Sequence, residues 1–281
     1  MKKIVVTGGS GRLGKWVVKE FVEQGWEVLN VDIKQPQKSL CRTVVADLKN
    51  LGEVYGVLAG AQGVVHLAAI PVAYSNPNEV VFQNNVMASY NILEASAGLG
   101  INKIVLASSE SSYGFCFAEH DIAPQYVPLD EDHPQLPQDS YGLSKVVAEE
   151  MGAAFHRRTG MQVVSLRLGN VITPEMYADF PGIVNDPDKK IRNLWNYIDA
   201  RDAASACRCA IEAEGLGAVN LNITANDNAM NIKSRELMRH AFPEVKDFRA
   251  LLEGYETLIA NDKARKLLSW EPVHYWRDYV K

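Results

Sequence analysis

The chain has 281 residues, 47% hydrophobic and 22% charged, enough to bury roughly three quarters of its unfolded surface, which excludes a disordered chain and a disulfide-stapled miniprotein. Its 29 basic and 34 acidic side chains leave a net charge of −5, so no overall basic field draws in nucleic acid or an anionic membrane surface, and neither is expected as a partner. Cys41, Cys116, Cys207 and Cys209, in a chain whose Met1-Lys2-Lys3 runs straight into a β-like stretch, predict a reducing, cytoplasmic setting with no secretory leader. No run approaches the ~18 consecutive apolar residues of a membrane span.

The first half alternates short β-branched runs with longer helical patterns, the mark of βαβ units and a parallel sheet. Ile4–Val6 is the first strand candidate, followed by a glycine turn, Thr7-Gly8-Gly9-Ser10-Gly11-Arg12-Leu13-Gly14, and a helix over Leu13–Gln24. The turn satisfies both G-x-G-x-x-G and G-x-x-G-x-x-G. Such spacing lets backbone N–H groups and a helix start approach a pyrophosphate. Further strands are expected at Glu27–Val31 and Thr43–Ala46. Asp32 comes 18 residues after Gly14, where a carboxylate accepts from an adenosine ribose hydroxyl and repels a 2′-phosphate. The cofactor reading is therefore NAD, with Arg12 and Lys34 as the residues that speak for NADP.

Helices follow over Leu51–Leu58 and Val80–Ala97, the latter ending at Gly98, with strands at Val64–Leu67 and Ile104–Leu106. Ala107-Ser108-Ser109-Glu110 closes the fifth strand at the sheet edge where open α/β folds bind ligands, so a hydroxyl there is placed to meet a reacting oxygen. The polar stretch Ala118–Asp139 exceeds ordinary loop length and reads as functional or mobile. Tyr141-Gly-Leu-Ser-Lys145 then sets a phenol and an ammonium on one face of a helix spanning Tyr141–Arg158. A neighbouring cation favours the phenolate, and the pair is suited to move a proton on a hydroxyl. The spacing alone is weakly specific; its position after the fifth strand gives it weight. A strand at Val163–Leu166 is followed by a Pro/Asp/Gly-rich loop over Thr173–Lys190, helices near Ala200–Glu212, Ser234–His240 and Asp262–Leu268, and a strand near Ala218–Asn222. Cys207 and Cys209 sit two apart on a helix and face different ways, so no metal site is expected. His66 reads as a packing residue rather than a base.

Taken in order, Thr7-Gly8-x-x-Gly11-x-x-Gly14, Asp32, Asp47-Leu48, His66-Leu67-Ala68-Ala69, Asn85-Val86, Ser108-Ser109 with Tyr113-Gly114, Asp130 to Pro134, Tyr141-Gly-x-Ser-Lys145, Arg167-Leu-Gly-Asn170 and Tyr197-Ile-Asp-x-Arg201-Asp202 resemble the extended short-chain dehydrogenase/reductases, the NAD-dependent epimerase/dehydratase family. The resemblance spans most of the chain. It implies a doubly wound parallel Rossmann α/β sheet with a small C-terminal substrate-binding lobe, divided here as residues 1–168 and 169–281, with some later segments returning to the sheet. It implies Tyr141 as acid/base, Lys145 on the nicotinamide ribose and lowering the tyrosine pKa, and Ser109 on the reacting hydroxyl. Gly8, Gly11, Arg12, Leu13, Gly14, Asp32, Asp47, Leu48, Leu67, Ala68, Ala69, Asn85, Tyr141 and Lys145 would hold NAD. Ser111, Asn170 and Arg201 are candidate substrate contacts, and a homodimer is expected as in many relatives.

The enzymes it looks like oxidise a sugar carbon, as epimerases that return the hydride or dehydrogenases that release it. Dehydration is disfavoured, since Ser109-Glu110 lacks the Asp-Glu pair dehydratases use. The short C-terminal half resembles the uronate dehydrogenases, which act on free hexuronates; Tyr113-Gly114 and Glu131-Asp132-His133-Pro134 resemble the nucleotide-sugar epimerases. A catalytically silent dinucleotide sensor is the alternative of another class, and the intact Ser109, Tyr141 and Lys145 argue against it.

Overall fold

The structure is a computed structural model that describes residues 2–280. Its elements run β1 (Lys3–Thr7), α1 (Gly14–Glu23), β2 (Glu27–Asp32), β3 (Arg42–Val45), α2 (Leu51–Leu58), β4 (Gly63–His66), α3 (Asn78–Leu99), β5 (Lys103–Ser109), α4 (Ser140–Thr159) and β6 (Gln162–Leu168). After these come β7 (Val171–Ile172), β8 (Ile198–Asp199), α5 (Ala200–Glu212), β9 (Ala218–Ile223), α6 (Ser234–Ala241) and α7 (Asp262–Leu268). Seven strands form one parallel sheet in the order β3-β2-β1-β4-β5-β6-β9, and β7 pairs with β8 apart from it. The order reverses between β1 and β4. The carboxyl ends of those two strands therefore diverge into the crevice where such sheets hold ligands.

The alternation within each strand explains the layers. Ile4 and Val6 of β1 point to one face with Val105, Val164 and Leu166, and there meet Val17 and Phe21 of α1 and Ala203, Ala206 and Ala210 of α5. Val5, Val64, Ile104 and Leu106 point to the other face, against Val54 and Leu58 of α2, Ile92 and Leu93 of α3 and Phe155 of α4. Each buried valine, leucine or phenylalanine side chain contributes roughly 1.5–3 kcal/mol of transfer free energy, which is why strands covered on both faces lack a polar alternation.

The helix over Val80–Ala97 is longer than expected at both ends. Gly98 lies inside α3, where a Cβ would stand 2.3 Å from the Tyr55 hydroxyl; the glycine admits the tyrosine of α2 rather than ending the helix. The left-handed cap is Gly100, at φ +71°. Likewise Thr173–Lys190 is not wholly irregular: Pro174–Gly182 winds as a 3-10 helix with Tyr177 and Phe180 buried. Pro174 is preset for the first helical position.

The chain after β6 does two jobs. α5 packs on the sheet and β9 joins it, whereas side chains from 172–199 and 224–260 contribute to two further apolar clusters. The stretch over Ala118–Asp139 lies off the cavity wall. Val127 and Leu129 bridge to Phe248 and Ile259 and share an apolar core with Trp195, Met230 and Leu237. Among the described residues no helix is long and apolar enough to cross a membrane.

Candidate active site

A cavity of about 670 Å³ runs along the carboxyl edge of the sheet, from Asp32, Asp47 and Leu48 past the glycine turn to Ser109, Tyr141 and Lys145. Close packing shapes the turn: a Cβ on Gly14 would fall 2.0 Å from the Gly8 carbonyl oxygen, and one on Gly8 2.8 Å from Ala68 N. Only glycines let the turn fold onto itself and onto the segment after β4. The first turn of α1 leaves N–H groups without partners inside the helix, at the end where the macrodipole is positive. Asp32 is fixed at the end of β2 by Ser10 N, which donates to Oδ2 at 2.9 Å, and Ile33 N, which donates to Oδ1 at 2.7 Å. An anion-receptive helix start, a ribose-binding carboxylate and a buried lysine along one cleft fit a dinucleotide.

Gly8, Gly11, Arg12, Leu13, Gly14, Asp32, Asp47, Leu48, Leu67, Ala68, Ala69, Tyr141 and Lys145 all line this cavity, as do Ser111 and Asn170. Two expected contacts lie elsewhere. Asn85 is buried off the cavity, where Oδ1 accepts from Ile70 N at 2.8 Å and Nδ2 donates to Ile70 O at 3.1 Å. Its polar groups are spent bracing the segment after β4, so its role is to hold that wall; Asn84 beside it reaches the cavity. Arg201 is clamped by Asp199, with Nε to Oδ1 at 2.9 Å and Nη2 to Oδ2 at 2.8 Å, and Nη2 also donates to the Tyr279 hydroxyl. A guanidinium held two-point by a buried carboxylate is not offered to a substrate.

Tyr141 and Lys145 project from the first turns of α4, which Asp139 caps by accepting from Gly142 N at 2.7 Å. The phenol ring packs among Ala73, Val81 and Phe117. Lys145 Nζ lies 5.3 Å from the ring centroid and donates to Ala107 O at 2.7 Å. Burial dominates both groups: it pushes Tyr141 up to about 12 against the opposing effect of the Ser109 hydroxyl, and Lys145 down to about 8 against that of Glu149. In the chain by itself the dry apolar wall, with Cys116, Glu110 and Asp139 nearby, holds the phenol protonated against the lowering effect of Ser109. His66 is a buried strut, its Nδ1 2.7 Å from Thr7 Oγ1 and its Nε2 3.3 Å from Ser89 Oγ. Burial lowers its pKa to about 3, which keeps it neutral.

Behind Lys145 lies an ion pair that no local pattern announced. Glu149, one turn along α4, receives Arg167 Nε at 3.0 Å and Nη2 at 2.8 Å, both side chains being 3% exposed. Glu149 Oε1 also accepts from Ser108 Oγ at 2.5 Å and Oε2 from Gln135 Nε2 at 3.1 Å. Arg167 Nη1 donates to the Tyr113 hydroxyl and to Glu131 O, each at 3.0 Å. Ser108 ties β5 to α4 through its bond to Glu149, and both it and Ser109 line the cavity. Glu110, Cys116, Phe117 and Asn193 also line the cavity and were not singled out as site residues. For Glu110 the signal was available, since it is the charged neighbour of Ser109.

Residues 4–223 match the model of the NAD dependent epimerase/dehydratase family. The chain is 33% identical over 178 residues to a uronate dehydrogenase of Agrobacterium fabrum, a match that covers 62% of this chain and 63% of that protein. It is 26% identical over 311 residues to a UDP-glucose 4-epimerase of Corynebacterium glutamicum, covering 97% and 91%. In fold it is similar to a short-chain dehydrogenase/reductase superfamily protein from Agrobacterium tumefaciens solved with bound NAD, at TM-score 0.76 and 22% identity over 98% of this chain and 94% of that one.

Proposed function

Since the chain belongs to the NAD dependent epimerase/dehydratase family, we propose that it is an NAD-dependent oxidoreductase acting on a hydroxyl of a sugar or nucleotide sugar, as a dehydrogenase or an epimerase. The observation that carries this reading is the single cavity that joins the glycine turn and Asp32 to Ser109, Tyr141 and Lys145. NAD, when bound, supplies a hydride acceptor. The glycine turn and α1 would hold its pyrophosphate, Asp32 its adenosine ribose, and Lys145 its nicotinamide ribose. Ser109 would orient the substrate hydroxyl, and Tyr141, having first given up its own proton to become a phenolate in the loaded enzyme, would take the substrate's proton at Oη as the carbon–hydrogen bond breaks. The apolar wall of Ala73, Val81 and Phe117 keeps bulk water from the phenol. Together these residues give the pathway for proton removal, which is the part of the reaction a protein side chain must perform.

The test is a panel of free sugars, hexuronates and UDP-sugars with NAD, read both as NADH formed and as epimer produced. Turnover on any of them supports the reading, and its absence on all of them overturns it. Nicotinamide that stays with the protein through purification marks an epimerase. A uronate dehydrogenase is the second reading, favoured by the 33% identity to one.

A homodimer belongs to the same proposal. α3 leaves Val80, Met87 and Tyr90 exposed, and the neighbouring α4 leaves Leu143 exposed, a pair of helix faces suited to pack against their own copy. Light scattering is expected to give twice the chain mass for the wild type and a shift to monomer for Met87→Glu; a monomeric wild type contradicts it. The four cysteines are free, which supports the cytoplasm as the location.

A further inference from the structure

Glu110 is an acid on the wall of the active-site cavity, flanked there by Ser109, Ser111, Cys116 and Asn193. It is 6% exposed. Among the described residues its carboxylate has no cation within ion-pair distance; its partners are two neutral amides, Asn193 Nδ2 at 2.8 Å on Oε1 and Asn196 Nδ2 on Oε2. An ionised carboxylate has about four acceptor positions, so capacity remains beyond the two amides. Burying an acid without a paired counter-ion is costly, and an acid so placed on the wall of a cleft is a candidate ligand-binding group.

Of the cations around it, Lys190 acts on Glu110 from beyond ion-pair distance, and the others are committed elsewhere. Among the charged residues that line the cavity, Arg12, Asp32, Lys34, Asp47 and Lys49 belong to the glycine-turn end, leaving Glu110 and Lys145 at the other. Lys145 donates to Ala107 O. Arg192 donates to Ala118 O at 2.6 Å and to Asp121 at 3.3 Å, Lys190 lies over the Phe180 ring, and Arg201 is held by Asp199. None of these three lines the cavity. At the Glu110 end of the cavity a carboxylate or phosphate on the substrate would therefore meet an acidic wall with no guanidinium lining it, the side chain best suited to grip it.

We propose that Glu110 is a specificity-determining residue that accepts a hydrogen bond from a second substrate hydroxyl and selects a neutral, unphosphorylated sugar over a uronate or a nucleotide-linked one. This rests on the reading of the chain as a sugar oxidoreductase. The reaction balances as for any such oxidation: the substrate C–H leaves as hydride to NAD, the hydroxyl proton leaves through Tyr141, and the carbon becomes a carbonyl. Like charges placed face to face suppress the wrong ligand and so add to the discrimination that contacts to the right one supply.

The discrimination depends on pH. Burial lifts the Glu110 pKa to about 7 against Asn196, Asn193 and the charge of Lys190. Tyr141, up at about 12, and Cys116, well above its usual range, remain neutral nearby. Below 7 the acid is protonated and repels little; above 7 it is an anion. Lys145, which loses charge near 8, adds in the same direction, and removing Glu110 isolates its share.

The experiment compares kcat/KM for neutral aldoses, the matching hexuronates, sugar 6-phosphates and UDP-sugars at pH 6 and pH 8, in the wild type and in Glu110→Gln, with NADH and epimer both measured. The wild type is expected to favour neutral aldoses by about tenfold or more, with a larger margin over the uronate at pH 8. Glu110→Gln is expected to shrink that margin severalfold and flatten its pH dependence. A uronate or a UDP-sugar preferred by the wild type overturns the proposal, as does a margin unchanged by the variant. If no sugar of any class is turned over, the oxidoreductase reading itself falls and this proposal with it. The wild-type preference decides the matter even if the variant fails to fold.

Discussion

Tyr141→Phe is expected to lower kcat on the accepted sugar by about 10²–10⁴-fold, the range for loss of a positioned acid/base, with little change in melting temperature. The ring is what packs against Ala73, Val81 and Phe117, and phenylalanine keeps it. Only the hydroxyl is lost, the group through which the proton leaves beside Ser109. His66 cannot substitute, because it is neutral, buried and tied to Thr7 and Ser89. Affinity for NAD, read by fluorescence titration, is expected to stay near wild type, since the glycine turn and Asp32 are untouched. Turnover within tenfold of wild type would remove Tyr141 from the chemistry.

Glu149→Ala is expected to cost about 3–5 kcal/mol of stability, the effect of removing one member of a buried ion pair. At about 2–4 °C per kcal/mol for a chain of a few hundred residues, the melting temperature falls by roughly 10 °C. The reason is the company Glu149 keeps: Arg167 would be left charged at 3% exposure, and Ser108 and Gln135 would lose their acceptor. The pair also stands one turn behind Lys145, which donates to Ala107 O beside Ser108, so activity is expected to fall at temperatures where the variant remains folded. Replacing both partners, as Glu149→Leu with Arg167→Met, leaves no orphaned charge and is expected to melt closer to wild type than the single variant. Thermal melts of the three proteins check the order. Equal melting of Glu149→Ala and wild type would show that the pair carries no stability.

The sheet was legible because hydrophobic alternation reports directly on strands covered on both faces, and the glycine turn because only one residue type fits where a Cβ would sit 2.0 Å from a carbonyl oxygen. What a local pattern does not carry is the destination of a polar side chain. Asn85 lies one residue from the cavity-lining Asn84, and which of the two faces the cleft is set by helix phase against β4. Arg201 was a fair candidate for a substrate anion until Asp199, two residues away, took both ends of its guanidinium. Glu149 and Arg167 are 18 residues apart, meeting only because α4 packs across β5 and β6, and the amides that hold Glu110 come from a turn more than 80 residues later. The Tyr141-Lys145 spacing was visible, but the direction of their pKa shifts depends on the apolar wall that Ala73, Val81 and Phe117 build from distant segments.

The most direct test of the account is isotopic. A sugar that the protein accepts is supplied with deuterium on the carbon that bears the reacting hydroxyl, and the nicotinamide, whether released or retained by the protein, is examined by mass spectrometry. The account predicts that the wild type passes the deuterium to the nicotinamide, where a dehydrogenase leaves it and from which an epimerase returns it to the same carbon, and that Tyr141→Phe strongly suppresses the conversion. Sugar conversion with the deuterium lost to water, found neither on the nicotinamide nor on the product carbon, would contradict it.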